Sequence, residues 1–180
     1  MTQQKSNKYL RFSPSTNNQY IDRDGRFLDL PSEAVKKTRL GIFGLSISAD
    51  NKILVSYPPH ALDKPGLPGG GREGFESHAQ ALQREYFEEL GPYFVIKKKA
   101  WPVYQQRILY YANDVNEYWQ YDQYFYLTQL HHPKMPSTQW ITPEGGLAQW
   151  IPLREYHRLT AAHKPAIAYY LKSCCLRKRR

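Results

Sequence analysis

"LPGGGREGFESHAQALQREYFEELGP", Leu67 to Pro92, decides how this chain is read. Three glycines follow a proline, and a polar segment rich in glutamate follows them. Ser77 is a good helix N-cap, and Gln80 three residues on completes a capping box. Gly91 supplies a C-terminal stop, and Pro92 forbids continuation. The pattern predicts a helix from Ser77 to Leu90 of about four turns. At about 100° per residue, Ala79, Leu82, Tyr86 and Leu90 share one narrow, core-facing sector. Glu85, Glu88 and Glu89 fall in a neighbouring sector at i, i+3, i+4. Like charges at that spacing repel, and helix propensity does not ask for them. A helix built only for solubility would alternate Glu with Lys. A divalent cation offers a compensation, because hard carboxylate oxygens so spaced can share Mg²⁺ or Mn²⁺. The glycines let the backbone approach a bulky ligand closely, and a carbonyl there can add a neutral ligand. Metal on carboxylates and phosphate on metal is the usual arrangement at phosphoryl groups. The glutamates therefore read as holders of cations that bind a polyphosphate.

Outward from this stretch, the bulk properties set limits. The 180 residues make one ordinary domain with short extensions, and 41% apolar residues suffice for a core. No apolar run approaches the roughly 18 residues of a membrane helix. The first twenty residues lack the apolar stretch of a secretory signal. The two cysteines, Cys174 and Cys175, are adjacent, so neither a disulfide framework nor a CxxC metal pair is readable. The expectation is a soluble, cytoplasmic protein. The net charge is +9. Lys172, Arg177, Lys178, Arg179 and Arg180 place much of it in a basic tail. That tail reads as a solvated end, with an arm attracting nucleic acid as the alternative.

Residues 1–38 read as an N-terminal extension whose "YIDRDGRFLDL" forms a hairpin around Asp24-Gly25. "TRLGIFGLSISADNKILVSYPP" reads as a strand–turn–strand unit about Ala49-Asp50-Asn51. After the helix, "YFVIKKKAWPVYQQRILYY" and "EYWQYDQYFYLTQL" are rich in β-branched and aromatic residues, hence strands, with "ANDVNE" between them. "PLREYHRLTAAHKPAIAYYLKS" reads as helical, with Pro165 a break or kink. The order of elements fits a mixed sheet covered by helices.

Gly70, Glu76, Arg84-Glu85-Tyr86, Glu88-Glu89 and Gly91 stand at the spacing GX5EX7REUXEEXGU, and so the segment resembles the Nudix box. All seven invariant letters are present, and a chance match is on the order of one in a million. Tyr86 fills the first apolar site, and Pro92 stands where an aliphatic residue is usual. The resemblance extends over residues 39–172, leaving 173–180 as the tail. It implies a Nudix-type α/β/α sandwich with a mixed β-sheet, and a metal-dependent, MutT-like hydrolase of nucleoside diphosphates linked to another group. Carried onto this chain, it makes Glu85, Glu88 and Glu89 ligands to Mg²⁺ or Mn²⁺, with the Gly70 carbonyl adding another. Glu76 sits near the site and orients or assists. Arg84 holds a glutamate in place rather than touching substrate.

The general base is Glu85, or Glu144 on the late loop "TPEGGLAQWIPL". His60, His131 and His132 are further candidates. Substrate contacts fall to Gly69, Gly70, Gly71, Arg72, Lys64 and Tyr110, and Arg107 is another cation that could meet phosphate. Members cutting ADP-ribose often carry a proline past the box where this chain has Arg107 and Ile108, which speaks against that group. Members acting on dinucleoside polyphosphates often carry a tyrosine there, and Tyr110 stands near. On "EYWQYDQYFYL", Trp119, Tyr121 and Phe125 alternate with Tyr118, Tyr124 and Tyr126, so one face could stack a base. The substrate is expected to be a small nucleotide, in preference to the 5′ end of an RNA. A catalytically silent nucleotide-binding module is the competing class. Residues 1–38 pair across a homodimer or cover the substrate pocket.

Overall fold

The glycine turn and the glutamate helix lie side by side at the edge of a mixed sheet. The computed structural model describes residues 19–92, 94–96, 101–131 and 138–177. Its elements are β1 (Tyr20–Ile21), β2 (Phe27–Leu28), β3 (Lys36–Ser46), β4 (Lys52–Tyr57), β5 (Gly69–Gly71) and α1 (His78–Leu90). They continue with β6 (Val95–Ile96), β7 (Trp101–Ala112), β8 (Glu117–Thr128), β9 (Leu130–His131), β10 (Gln139–Ile141) and β11 (Leu147–Pro152). A 3₁₀ segment, Leu153–Arg158, precedes α2 (Lys164–Arg177). Among the described residues, no helix is long and apolar enough to cross a membrane.

The main sheet runs β2-β1-β7-β8-β3-β5, and a second runs β10-β11-β4. In the main sheet β3 pairs parallel with β8 and antiparallel with β5, while β7 and β8 form a long antiparallel pair. Side-chain alternation gives that sheet two faces. Ile42, Tyr124 and Tyr126 face the cluster holding Ala81, Leu82, Tyr86 and Leu90 of α1. Phe43, Tyr121 and Phe125 face the cluster holding Ala166 and Ile167 of α2. A helix therefore packs on either face, which is the expected α/β/α sandwich.

Local chemistry explains where α1 starts and stops. The Ser77 hydroxyl accepts from the Gln80 N–H, the Gln80 side chain accepts from the Ser77 N–H, and Gly91 caps the end at φ 102°. One residue of the expected core sector differs: Ala79 is exposed and Ala81 is buried. The buried face is wider than a single sheet requires, because Ala81 shares its cluster with Leu54, Ala148 and Trp150 of the second sheet.

The expected strand–turn–strand unit forms: β3 and β4 follow each other around the Asn51 turn, joined at the Ile47–Ile53 bridge, and then run in different sheets. Both strands are apolar on two faces, so periodicity marks them as strands without naming their partners. Pro165 opens α2 instead of interrupting a helix, because its missing N–H is harmless in a first turn. The hairpin around Asp24-Gly25 forms, and β1 docks parallel to β7 at Ile21–Tyr110.

Candidate active site

β5 carries no side chains, so nothing of its own separates α1 from the opposite face of the sheet. Glu85 and Glu89 reach this gap. The Glu89 carboxylate accepts the Gly69 N–H at 2.8 Å. A Cβ placed on Gly70 would lie 2.6 Å from Glu85 Oε1, so the glycine makes room for that carboxylate. On the far side opens a cleft of about 660 Å³ whose wall includes Glu85, Glu89, Arg39, Trp119 and Tyr121.

Arg84 ties the acidic residues together. Its Nε donates to Glu76 Oε1 at 2.9 Å and its Nη2 to the Gly71 carbonyl at 2.8 Å. Its Nη1 donates to Glu85 Oε1 at 3.0 Å and to Glu88 Oε2 at 2.9 Å. Glu76 is fixed further by the Glu73 N–H at 3.0 Å. These contacts hold the Glu76 carboxyl below its ordinary range, with Arg84 the chief cause.

The two inner glutamates are both shifted the other way from Glu76. Burial pushes Glu85 up to about 7, against the opposing pull of Arg84 and with Glu88 and Glu144 adding repulsion. Burial likewise holds Glu89 well above the carboxylate range, opposed by the Gly69 N–H and reinforced by Glu85, Glu144 and Glu88. Crowded, half-buried carboxylates of this kind are short of positive charge, and a divalent cation on hard oxygen donors supplies it. Among the described residues, no three His, Cys, Asp or Glu side chains close on one point as they stand. Glu88 is turned to Arg84. The donors that fit a cation here are Glu85 and Glu89, while Glu88 is engaged by Arg84 at 2.9 Å.

The Gly70 carbonyl, expected as a metal ligand, is directed along the sheet. The Pro68 carbonyl and the Arg72 N–H bond to β3, at Gly44 and Leu40. Strand alternation therefore turns Gly70 towards β3 as well. Gly69 and Gly71 face the helix, the first through its N–H on Glu89 and the second through its carbonyl on Arg84.

Glu144 lies exposed on the loop between β10 and β11, close enough to repel Glu85 and Glu89. Tyr110 lines the cleft, as does His60, whose Nε2 stands 3.9 Å from Asp114. Lys64 is engaged by Asp24 at 2.8 Å, and Arg107 by Asp122 at 2.6 and 2.8 Å. Neither Lys64, Arg72 nor Arg107 is part of the cleft wall. His132 and residues 178–180 of the tail lie outside the described residues, as do the side chains of His131 and Arg177.

Four wall residues carry no motif and were not singled out from the sequence. Arg39 sits 4.9 Å above the Trp119 ring and beside Gly71. Arg23 comes from the hairpin turn. Gln123 and His163 are buried polar groups of the cleft floor. Only the fold assembles them, since they come from four separate parts of the chain.

Gly70→Ala tests the gap directly. The added methyl meets the flexible end of Glu85, so stability should change by less than about 1 kcal/mol. Displacing that carboxylate should lower any turnover at least tenfold. Thermal unfolding and steady-state rates on the same preparation check both halves.

A family model described as the NUDIX domain matches residues 39–171. The crystal structure of a MutT NUDIX hydrolase from Burkholderia pseudomallei is similar at 24% identity and a TM-score of 0.53, over 74% of this chain and 98% of that one. A NUDIX hydrolase from Nitrosomonas europaea is similar at 19% identity and a TM-score of 0.47, over 76% of this chain and 90% of that one. No curated protein matches. The first of these likenesses speaks for the fold, and the domain match covers well over half of the chain. With the complete box folded into one helix and its glycine strand, the chain belongs to the Nudix family of hydrolases.

Proposed function

We propose that this chain is a pyrophosphohydrolase, dependent on Mg²⁺ or Mn²⁺, that cleaves a P–O–P bridge in a small nucleotide by attack of water on phosphorus. The observation that supports it is the pair Glu85 and Glu89, short of positive charge, at the mouth of an aromatic-walled cleft. When bound, a divalent cation would draw charge from the phosphoryl oxygens and make water a better nucleophile. Glu85, Glu89 and, after turning from Arg84, Glu88 would hold it. Arg84 keeps Glu85 in place, the Gly69 N–H keeps Glu89, and Arg84 is not part of the cleft wall. Arg39 stands beside the glycine strand, where it would attract a phosphate. Glu85 or Glu144 would accept the proton of the water. The experiment is phosphate release from a nucleotide panel with Mg²⁺, with Mn²⁺ and with chelator. Release that requires the metal supports the reading, and nucleotide binding without release favours the silent module.

Linkage adds a prediction. The ordinary glutamate value is 4.5, and the folded Glu85 titrates near 7 without a cation. The proton that the folded chain keeps stabilises it below about pH 4.5, and that contribution is lost as pH rises through about 7. Mg²⁺ should restore it. The upward shift in Tm on adding Mg²⁺ should therefore be larger at pH 8 than at pH 5.5. Equal shifts at both would place the cation elsewhere.

A further inference from the structure

The hairpin β1–β2 precedes residue 39, where the family match begins, yet it completes the cleft. β1 stands four strands from β5 in the sheet order, about 19 Å at the usual strand spacing of about 4.8 Å. One end of the cleft is thus the glycine strand with its glutamates. The other is the hairpin turn, with Arg23 in the wall.

Backbone bonds knit that end together. The Ala161 N–H reaches the Arg23 carbonyl at 3.4 Å, and the Thr160 N–H donates to the Pro65 carbonyl at 2.9 Å. Arg23 Nη2 donates to the Lys64 carbonyl. Two polar atoms are then left over beside the His163 ring. Arg23 Nε is buried without a partner among the described residues, and so is the hydroxyl of Thr160, a residue only 6% exposed. His163 Nδ1 accepts the Leu67 N–H at 2.9 Å, so its neutral ring carries the proton on Nε2. Burial keeps that ring neutral, its pKa driven down to about 3. Arg23, Thr160 and His163 all line the cleft, with Tyr110 and Trp119 on its walls.

We propose that Arg23 and Thr160, with His163 beside them, read the base of the substrate and select nucleotides with a keto oxygen, in place of an amino group, at purine C6 or pyrimidine C4. The proposal rests on the nucleotide reading above. The Arg23 Nε–H can only donate and so calls for an acceptor, with the Thr160 hydroxyl able to donate beside it. A keto oxygen is such an acceptor, where an exocyclic amino group is another donor. A phosphate fits this end poorly, because Asp24, Asp63 and Asp114 outnumber Arg23 in the same wall. Guanine and hypoxanthine fit best, since their carbonyl and N7 offer two neighbouring acceptors to an arginine. The hairpin is then a cover for the substrate pocket that also sets specificity.

The test compares kcat/KM for GTP, ITP and UTP with ATP, CTP and base-free ribose 5-triphosphate, in the wild type, Arg23→Met and Thr160→Val. The wild type should prefer GTP, ITP and UTP over ATP and CTP by at least tenfold. Each variant should bring that ratio close to one, losing more on GTP than on the base-free triphosphate. Thr160→Val keeps the side-chain shape, so it reads the effect even if Arg23→Met folds poorly. No preference in the wild type, or equal losses on every substrate, would overturn the proposal. If nothing is hydrolysed, calorimetric Kd values for methylene-bridged GTP and ATP analogues give the same ratio. A preference lost in the variants then keeps the base-reading role and rejects hydrolysis, whereas no preference rejects both.

Discussion

Glu85→Gln should lower turnover about a thousandfold, roughly 4 kcal/mol of barrier, while leaving the metal-free protein folded. The side chain keeps its size and its place against Gly70. What it loses is charge, at a half-buried position where Glu88 and Glu144 add repulsion and Arg84 is the cation that opposes it. Without a cation that loss is harmless, because a neutral amide removes repulsion with Glu88, Glu89 and Glu144. The Mg²⁺-dependent rise in Tm should disappear together with the activity. A variant that keeps both near the wild-type level would show that the metal does not use Glu85.

Arg84→Met should cost both stability and rate. The guanidinium bridges Glu76, Glu85, Glu88 and the Gly71 carbonyl, and only 22% of its side chain is exposed. Breaking the network leaves three carboxylates without their shared partner, a loss of about 2 kcal/mol or more. The rate should fall by about 10- to 100-fold, since the ligands remain but lose their orientation. The acid limb of the pH–rate profile should also move upward, because Arg84 is what pulls Glu85 down. Arg84→Lys should rescue little, as a single ammonium cannot make the same fork of contacts. A purely structural arginine would lower Tm without moving the pH profile.

The sequence made the local features legible and left the assembly hidden. Ser77, Gln80 and Gly91 mark the helix through short-range hydrogen bonds, so its bounds could be read directly. Asn51 and Asn116 mark turns because asparagine tolerates the left-handed conformation they adopt. The neighbourhood of Glu85 and Glu89 followed from helical spacing. That Glu88 faces Arg84 did not, since one helix places i and i+4 residues together whichever side chain wins. Nor did the direction of the Gly70 carbonyl, which depends on how β5 pairs with β3. Arg23, Arg39, Gln123 and His163 lie far apart in the chain and meet only through the strand order. For these, no pattern of spacing carries the information.

The proposed reaction is attack of water on phosphorus at the Glu85–Glu89 end of the cleft. Hydrolysis of the best nucleotide substrate in ¹⁸O-labelled water, with product mass spectrometry, tests that claim most directly. We predict one ¹⁸O on one phosphate product per turnover in the presence of Mg²⁺, none with chelator, and none above background in Glu85→Gln. Label incorporated at an undiminished rate with chelator, or in Glu85→Gln, would contradict it.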